Sequence, residues 1–257
     1  MTTPSKKHWP KRPILDYSED EFIRIKVGTE PNLKHFNVSK IRLAYHSPYF
    51  RTSLNFPRED SQVIELPDAC PKIFRHIVQY MNTGSIVIPI YDRKNGKHLD
   101  LPTLTHIWFL AHYLLIPRVQ NIAIARIFYR LDHGESEPVF KVDEMVTTLN
   151  IVCGTDGTVI ADDNNVYSLL GSYMTWHSDY PHWTDEQKNK VPRKVLSLMA
   201  EVLRDYCVDT KTYRNSLSVN LGIGNLRCYY VDDKIDDEYV TLNLPDFVLQ
   251  NDEKQEE

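Results

Sequence analysis

Ten histidines and four cysteines are the residues of this 257-residue chain best suited to metal or nucleophilic chemistry, and their spacing argues against both. His106 and His112 stand six residues apart and His177 and His182 five, not the i, i+4 separation that puts two ligands on one helical face. Cys70, Cys153, Cys207 and Cys228 form no Cys-x-x-Cys pair, so neither a zinc ribbon nor a secreted disulfide framework is suggested. They read as reduced, intracellular thiols. Cys70 with His76 is a conceivable nucleophile and base, yet a buried packing cysteine is the commoner use of that residue. The chain contains no Gly-x-x-x-x-Gly-Lys-Ser/Thr, Gly-x-Gly-x-x-Gly, Gly-x-Ser-x-Gly or His-Glu-x-x-His, and Gly222-Ile223-Gly224 lacks the third glycine of a dinucleotide loop. No catalytic residue, metal ligand or cofactor is therefore assigned, and the chain is read as non-enzymatic.

Composition points the same way. With 42% apolar and 25% charged residues the chain can bury a core without staples, and its net charge of −5 disfavours a duplex nucleic-acid binder. The charge is unevenly spread. Lys6, Lys7, Lys11 and Arg12 make residues 1–20 a basic, proline-containing arm, whereas Asp232 to Glu257 carries ten acids against two lysines. The arm suits a nuclear import signal, a phosphate contact or a merely solvated end; the acidic tail suits a basic partner or simple solubility. The N-terminus lacks the apolar run of a secretory signal, and the most apolar window, Ile107 to Ile116, is far too short to span a bilayer. A soluble protein of the cytoplasm or nucleus is expected.

The elements follow from periodicity. Phe22, Ile25 and Val27 form a β-type run ended by Gly28, and His35 to Val38 a second one after Thr29-Glu30-Pro31-Asn32, which predicts a hairpin. Ser39 caps a predicted helix over Lys40 to His46, Ser47-Pro48 restarts one, and Val63, Ile64 and Leu66 give a third strand. Ile73, Phe74, Ile77, Val78 and Met81 recur at helical spacing until Thr83-Gly84, and Ser85 to Ile90 is another β-branched run. Leu104, Ile107, Trp108, Ala111, Leu114 and Leu115 mark a helix, followed by one from about Arg118 to Leu131 that is apolar on most sides. Asp132 to Pro138 is polar and proline-ended, the best internal boundary. Beyond it three helices are expected around Val142–Val152, Val166–Met174 and Val195–Tyr206, with Asp156-Gly157 in a loop. Past Asp209 the pattern fades into short β-like pieces over 210–231. Trp176, Tyr180 and Trp183 interleave with His177 and His182, a pattern that either pins a helix end to the body or offers an aromatic surface to a partner.

The stretch Phe36-Asn37-Val38-Ser39-Lys40-Ile41-Arg42-Leu43-Ala44-Tyr45-His46-Ser47-Pro48-Tyr49-Phe50 resembles the opening of BTB/POZ domains at Phe36, Val38, Lys40, Leu43, Ser47, Tyr49 and Phe50. Phe56, Glu59, Val63 to Asp68, Pro71, Phe74 and Thr83-Gly84 continue the likeness, which is closest to fungal proteins bearing one such domain and a helical C-terminal region. The resemblance implies an α+β fold: a small sheet flanked by a helical cluster over residues 21–131, then a mainly helical region over 138–209. On periodicity alone, Val38, Leu43, Phe50, Leu66, Phe74 and Ile77 are spaced to share a core, at about 1.5 to 3 kcal/mol per fully buried large side chain.

The same resemblance implies a protein–protein interaction module that self-associates as a homodimer or docks other proteins, with no small-molecule, nucleic-acid or membrane partner. Its sharper form is a substrate adaptor for a cullin-based ubiquitin ligase. The family binds the cullin through an apolar-x-Glu motif before the third strand, and Phe56-Pro57-Arg58-Glu59 is the nearest match, with one residue more between the apolar group and the acid. Phe56 would fill a pocket while Glu59 makes a charge-assisted bond at its rim. The alternative is a homo-oligomeric nuclear regulatory scaffold without a ligase role, supported by the basic arm.

Overall fold

The computed structural model describes residues 20–55, 63–84, 86, 99–132, 141–154, 164–176 and 180–209. These fall into two compact units, the first running to Pro71 and the second starting at Lys72. The basic arm, most of the run Ser85 to Ile90, the loop at Asp156-Gly157, the pieces over 210–231 and the acidic tail lie outside the described residues.

The first unit is built on three strands: β1 (Phe22–Val27), β2 (Lys34–Ser39) and β3 (Val63–Leu66), in the order β2-β1-β3. In β1 the alternation of exposed Phe22 and Arg24 with fully buried Ile23, Ile25 and Val27 is the period of two that a one-sided sheet demands. β1 pairs antiparallel with β2, Ile25 facing Phe36, and parallel with β3, where Ile25 faces Ile64. Gly28 ends β1 at φ +81°, donates its N–H to the Leu66 carbonyl at 2.9 Å, and a side chain there would meet Pro71. Only glycine combines that backbone with that proximity at little cost.

Ser39 closes the hairpin and opens the helix. Its hydroxyl accepts from the Arg42 N–H at 3.1 Å, capping α1 (Lys40–His46), while the Asp20 carboxylate accepts from the Ile41 N–H and Glu21 pairs with Lys40 at 2.7 Å. Acids at a helix N-terminus complement its exposed amides and dipole. Ser47 repeats the device: its hydroxyl accepts from the Phe50 N–H at 3.2 Å, starting α2 (Pro48–Asn55) with proline in the first turn. Arg51 Nε then donates to the Ala44 carbonyl at 2.9 Å and ties α2 to α1.

The second unit is helical. It comprises α3 (Pro71–Thr83), α4 (Leu101–Tyr113), α5 (Pro117–Asp132), α6 (Val142–Cys153), α7 (Asn165–Trp176), a 3₁₀ turn at Tyr180–His182, α8 (Asp185–Asn189) and α9 (Arg193–Asp209). The Asp100 carboxylate caps α4 through the Thr103 N–H at 2.8 Å, with Pro102 in the first turn. Val119, Ala123, Ile124, Ile127, Phe128 and Leu131 of α5 are buried together with Gln120 and Asn121, so this helix is enclosed on most sides, as its all-round apolarity predicts. α4 packs on both α5 and α6, and α7 packs on α9. All six residues expected in a core, Val38, Leu43, Phe50, Leu66, Phe74 and Ile77, are buried.

One expectation is corrected. Leu115 continues the apolar series of α4 in sequence, but the helix stops at Tyr113 and Leu115 lies beyond it, half exposed, while Leu114 is fully buried. The Leu115 N–H bonds the His112 carbonyl and the Ile116 N–H bonds the Ala111 carbonyl at 2.8 Å, the paired bonds of a Schellman ending. Leu115 takes the left-handed position of that motif at φ 55°, and Pro117 then starts α5.

Candidate protein-interaction site

Phe56 and Glu59 lie outside the described residues. They belong to the connection between Asn55, the last residue of α2, and Val63, the first of β3. Both flanks are firmly held: α2 by the Ser47 cap, the Arg51–Ala44 bond and the buried Phe50, β3 by parallel pairing that sets Val63 beside Arg24 and Leu66 beside Val27.

Among the described residues, the most exposed large apolar side chains mark two further places, with Leu203 and Tyr129 exposed to a smaller degree elsewhere. Phe22 is 70% exposed at the start of β1, in the first unit; in the second, Tyr113 is 57% and Leu115 50% exposed around the α4–α5 turn. The left-handed backbone at Leu115 costs a non-glycine residue about 1 to 2 kcal/mol. This turn was missed in the sequence. The available signal was Pro117, which stands three residues past the Leu114 cap, within the one to three residues at which a proline commonly follows a helix end.

Electrostatics identify no reactive centre. Among the described residues no three His, Cys, Asp or Glu side chains gather closely enough to hold an ion. Cys70 is exposed and Cys153 is buried, both with free thiols, and burial pushes the Cys153 thiol up despite the opposing charge of Lys194. Burial likewise raises the Tyr167 phenol, whose hydroxyl donates to the Lys194 carbonyl at 2.7 Å. These shifts favour the unreactive protonated forms. No helix among the described residues is long and apolar enough to cross a membrane.

His76 on α3 carries a consequence for stability. Burial, seconded by the charge of Arg75, holds its imidazole below the ordinary value of 6.5, and its buried Nδ1 has no hydrogen-bond partner. A proton gained in the folded state would put an unsatisfied N–H there, so the unfolded chain binds the proton more readily. The stabilisation is therefore complete above pH 6.5 and is lost as pH falls through that value towards the lower pKa of the folded state. The melting temperature is expected to drop between pH 7 and pH 5, and His76→Leu to flatten that drop in parallel circular-dichroism melts. The carboxylates of Glu65 and Glu186, held below 4.5 by bonds to Lys26 and Lys190, act only under that window.

A small sheet with a parallel outer strand, two short capped helices and the packed helices that follow define an α+β fold among the described residues. Residues 23–127 match the family model of the BTB/POZ domain, so this part of the chain is a BTB/POZ domain, a protein–protein interaction module. Among solved structures the chain is similar to the BTB domain of human gigaxonin, at 24% identity over 40% of this chain and 75% of that one, with a TM-score of 0.32. It is also similar to the BTB domain of zebrafish PATZ1, at 22% identity over 40% and 73% of the two chains, with a TM-score of 0.30. None of the curated proteins matches the chain.

Proposed function

We propose that this protein is a substrate adaptor for a cullin-based ubiquitin ligase, acting in the cytoplasm or nucleus. In this reading residues 21–131 dock the ligase through Phe56 and Glu59, and the helical region over 138–209 receives the client. The basic arm, residues 210–231 and the acidic tail are accessory. The observation that carries the reading is the BTB/POZ match over residues 23–127, with Phe56-Pro57-Arg58-Glu59 falling in the α2–β3 connection. The packing of α6 on α4 also supports it, since a client bound to the later helices would be joined to the domain through a buried contact rather than a tether.

Calorimetric titration of the full chain into the N-terminal domain of the family's cullin partner tests this. Saturable binding with Kd below about 1 μM, near −8 kcal/mol, is expected, weakened by about tenfold or more by Phe56→Ala and by Glu59→Ala. Absence of heat and of a co-eluting complex would overturn the adaptor reading in favour of a homo-oligomeric nuclear scaffold. Sedimentation of the chain alone and the location of a Lys6, Lys7, Lys11, Arg12 quadruple alanine variant would then distinguish that alternative.

A further inference from the structure

Tyr180 and Trp183 are brought together by the 3₁₀ turn, because residues three apart eclipse one another in that geometry. The Trp183 N–H donates to the Tyr180 carbonyl at 3.1 Å, and the ring centroids lie 5.4 Å apart with the planes at 64°. Thr184 then starts α8 with a reciprocal capping box: its hydroxyl accepts from the Gln187 N–H at 3.3 Å while the Gln187 side chain accepts from the Thr184 N–H at 2.9 Å. That cap fixes where the next turn points. Lys188, whose N–H bonds the Thr184 carbonyl, sends its ammonium back to 5.9 Å from the centre of the Tyr180 ring. There Nζ also donates to the Pro181 carbonyl at 3.0 Å.

We infer that the Tyr180–Trp183 turn is a receptor for an alkylammonium side chain of a partner protein, held shut here by the chain's own Lys188. The Tyr180 ring, in edge-to-face contact with Trp183, attracts a cation through its quadrupole, and the ammonium of Lys188 displays the position such a cation takes. The site is accessible: Pro181 and His182 are exposed, and Tyr180, Trp183 and Lys188 are half-buried. Asp185 and Glu186, in the first turn of α8, add negative charge nearby, Glu186 being shared with Lys190 at 2.9 Å.

The Pro181 carbonyl sets the specificity. It accepts a hydrogen bond from the seated cation, so the receptor favours an ammonium that keeps an N–H. Lysine and dimethyllysine keep one; trimethyllysine does not. Lys188, tethered within one helical turn, competes with any incoming cation at high effective concentration. Removing Lys188 therefore opens the site.

Full-length protein and its Lys188→Ala variant, titrated with N-acetyl-lysine methylamide and its Nε-dimethyl and Nε-trimethyl forms, test the inference by amide and indole NMR shifts. The variant is expected to bind the dimethyl probe about tenfold tighter than the parent, and the trimethyl probe more weakly than the dimethyl one. In the Lys188→Ala background Tyr180→Phe retains binding and Tyr180→Leu abolishes it, with melts confirming that each variant is folded. Equal binding by Lys188→Ala and parent, binding indifferent to loss of the Tyr180 ring, or a preference for the trimethyl probe would each overturn it.

Discussion

Replacing Glu144 by alanine is expected to lower the unfolding free energy by about 3 kcal/mol, the largest loss predicted for any single polar side chain described here. One carboxylate serves three elements. Its Oε1 accepts the Leu101 N–H, an otherwise unpaired amide in the first turn of α4, at 2.8 Å, and also lies 2.9 Å from Arg130 NH2 of α5. Oε2 is 3.1 Å from the same guanidinium nitrogen, and Arg130 NH1 donates to the Leu99 carbonyl at 2.7 Å. The side chains of the pair are only 25% and 17% exposed, so water cannot replace what is lost. Alanine leaves a half-buried cation with one carbonyl and an amide with no acceptor, and deletion of one partner of such a pair costs far more than the pair contributes. Glu144→Gln keeps an acceptor for Leu101 and loses only the charge, so a loss of about 1 to 2 kcal/mol is expected. Urea unfolding read by circular dichroism measures both; equal stability of the alanine variant and the parent would refute the role given to Glu144.

Gly171→Val is expected to cost about 2 to 3 kcal/mol, through overpacking rather than lost bonding. Gly171 sits inside α7 against α9: a Cβ there would run into Leu198 Cδ2 and lie 2.8 Å from Leu198 Cγ. Alanine is different. Leu198 is half-buried and can turn towards solvent, and alanine is favoured over glycine inside a helix by about 1 kcal/mol, so the two effects nearly cancel. Valine adds two further carbons at the same close approach, and its own rotamer is restricted by the preceding turn. Adding Leu198→Ala to Gly171→Val should restore most of the loss. An uncoupled pair in that double-mutant cycle would contradict the α7–α9 contact.

Much of the fold was legible because local signals agree. The β-type run at Phe22, Ile25 and Val27, the serines before Lys40 and Pro48, the run Val63, Ile64 and Leu66, and the glycine after Thr83 each state their element in a few residues, and β1, α1, α2, β3 and α3 lie where those residues put them, though Phe22 is exposed and Ile23 supplies the buried face. The buried set from Val38 to Ile77 was equally readable, since period decides which face is apolar. Leu115 was misplaced because hydrophobic spacing cannot tell a helix's last turn from a left-handed residue just past it. For the candidate site, Phe56 and Glu59 were chosen by resemblance, and both lie outside the described residues; only their anchored flanks, Asn55 and Val63, are placed.

By itself the amino-acid sequence determined the order of most strands and helices and the lack of catalytic motifs, because these depend on residue type, period and short motifs, while its resemblance to BTB/POZ domains implied the α+β class and the interaction-module reading. Tertiary structure alone decided what brings distant residues together. It chose β1 as the central strand, joined Leu101, Arg130 and Glu144 in one polar cluster, set Gly171 against Leu198, and turned Lys188 back over Tyr180. Each is a contact between residues whose local patterns are satisfied with or without it, so its energy is fixed only once the chain has folded.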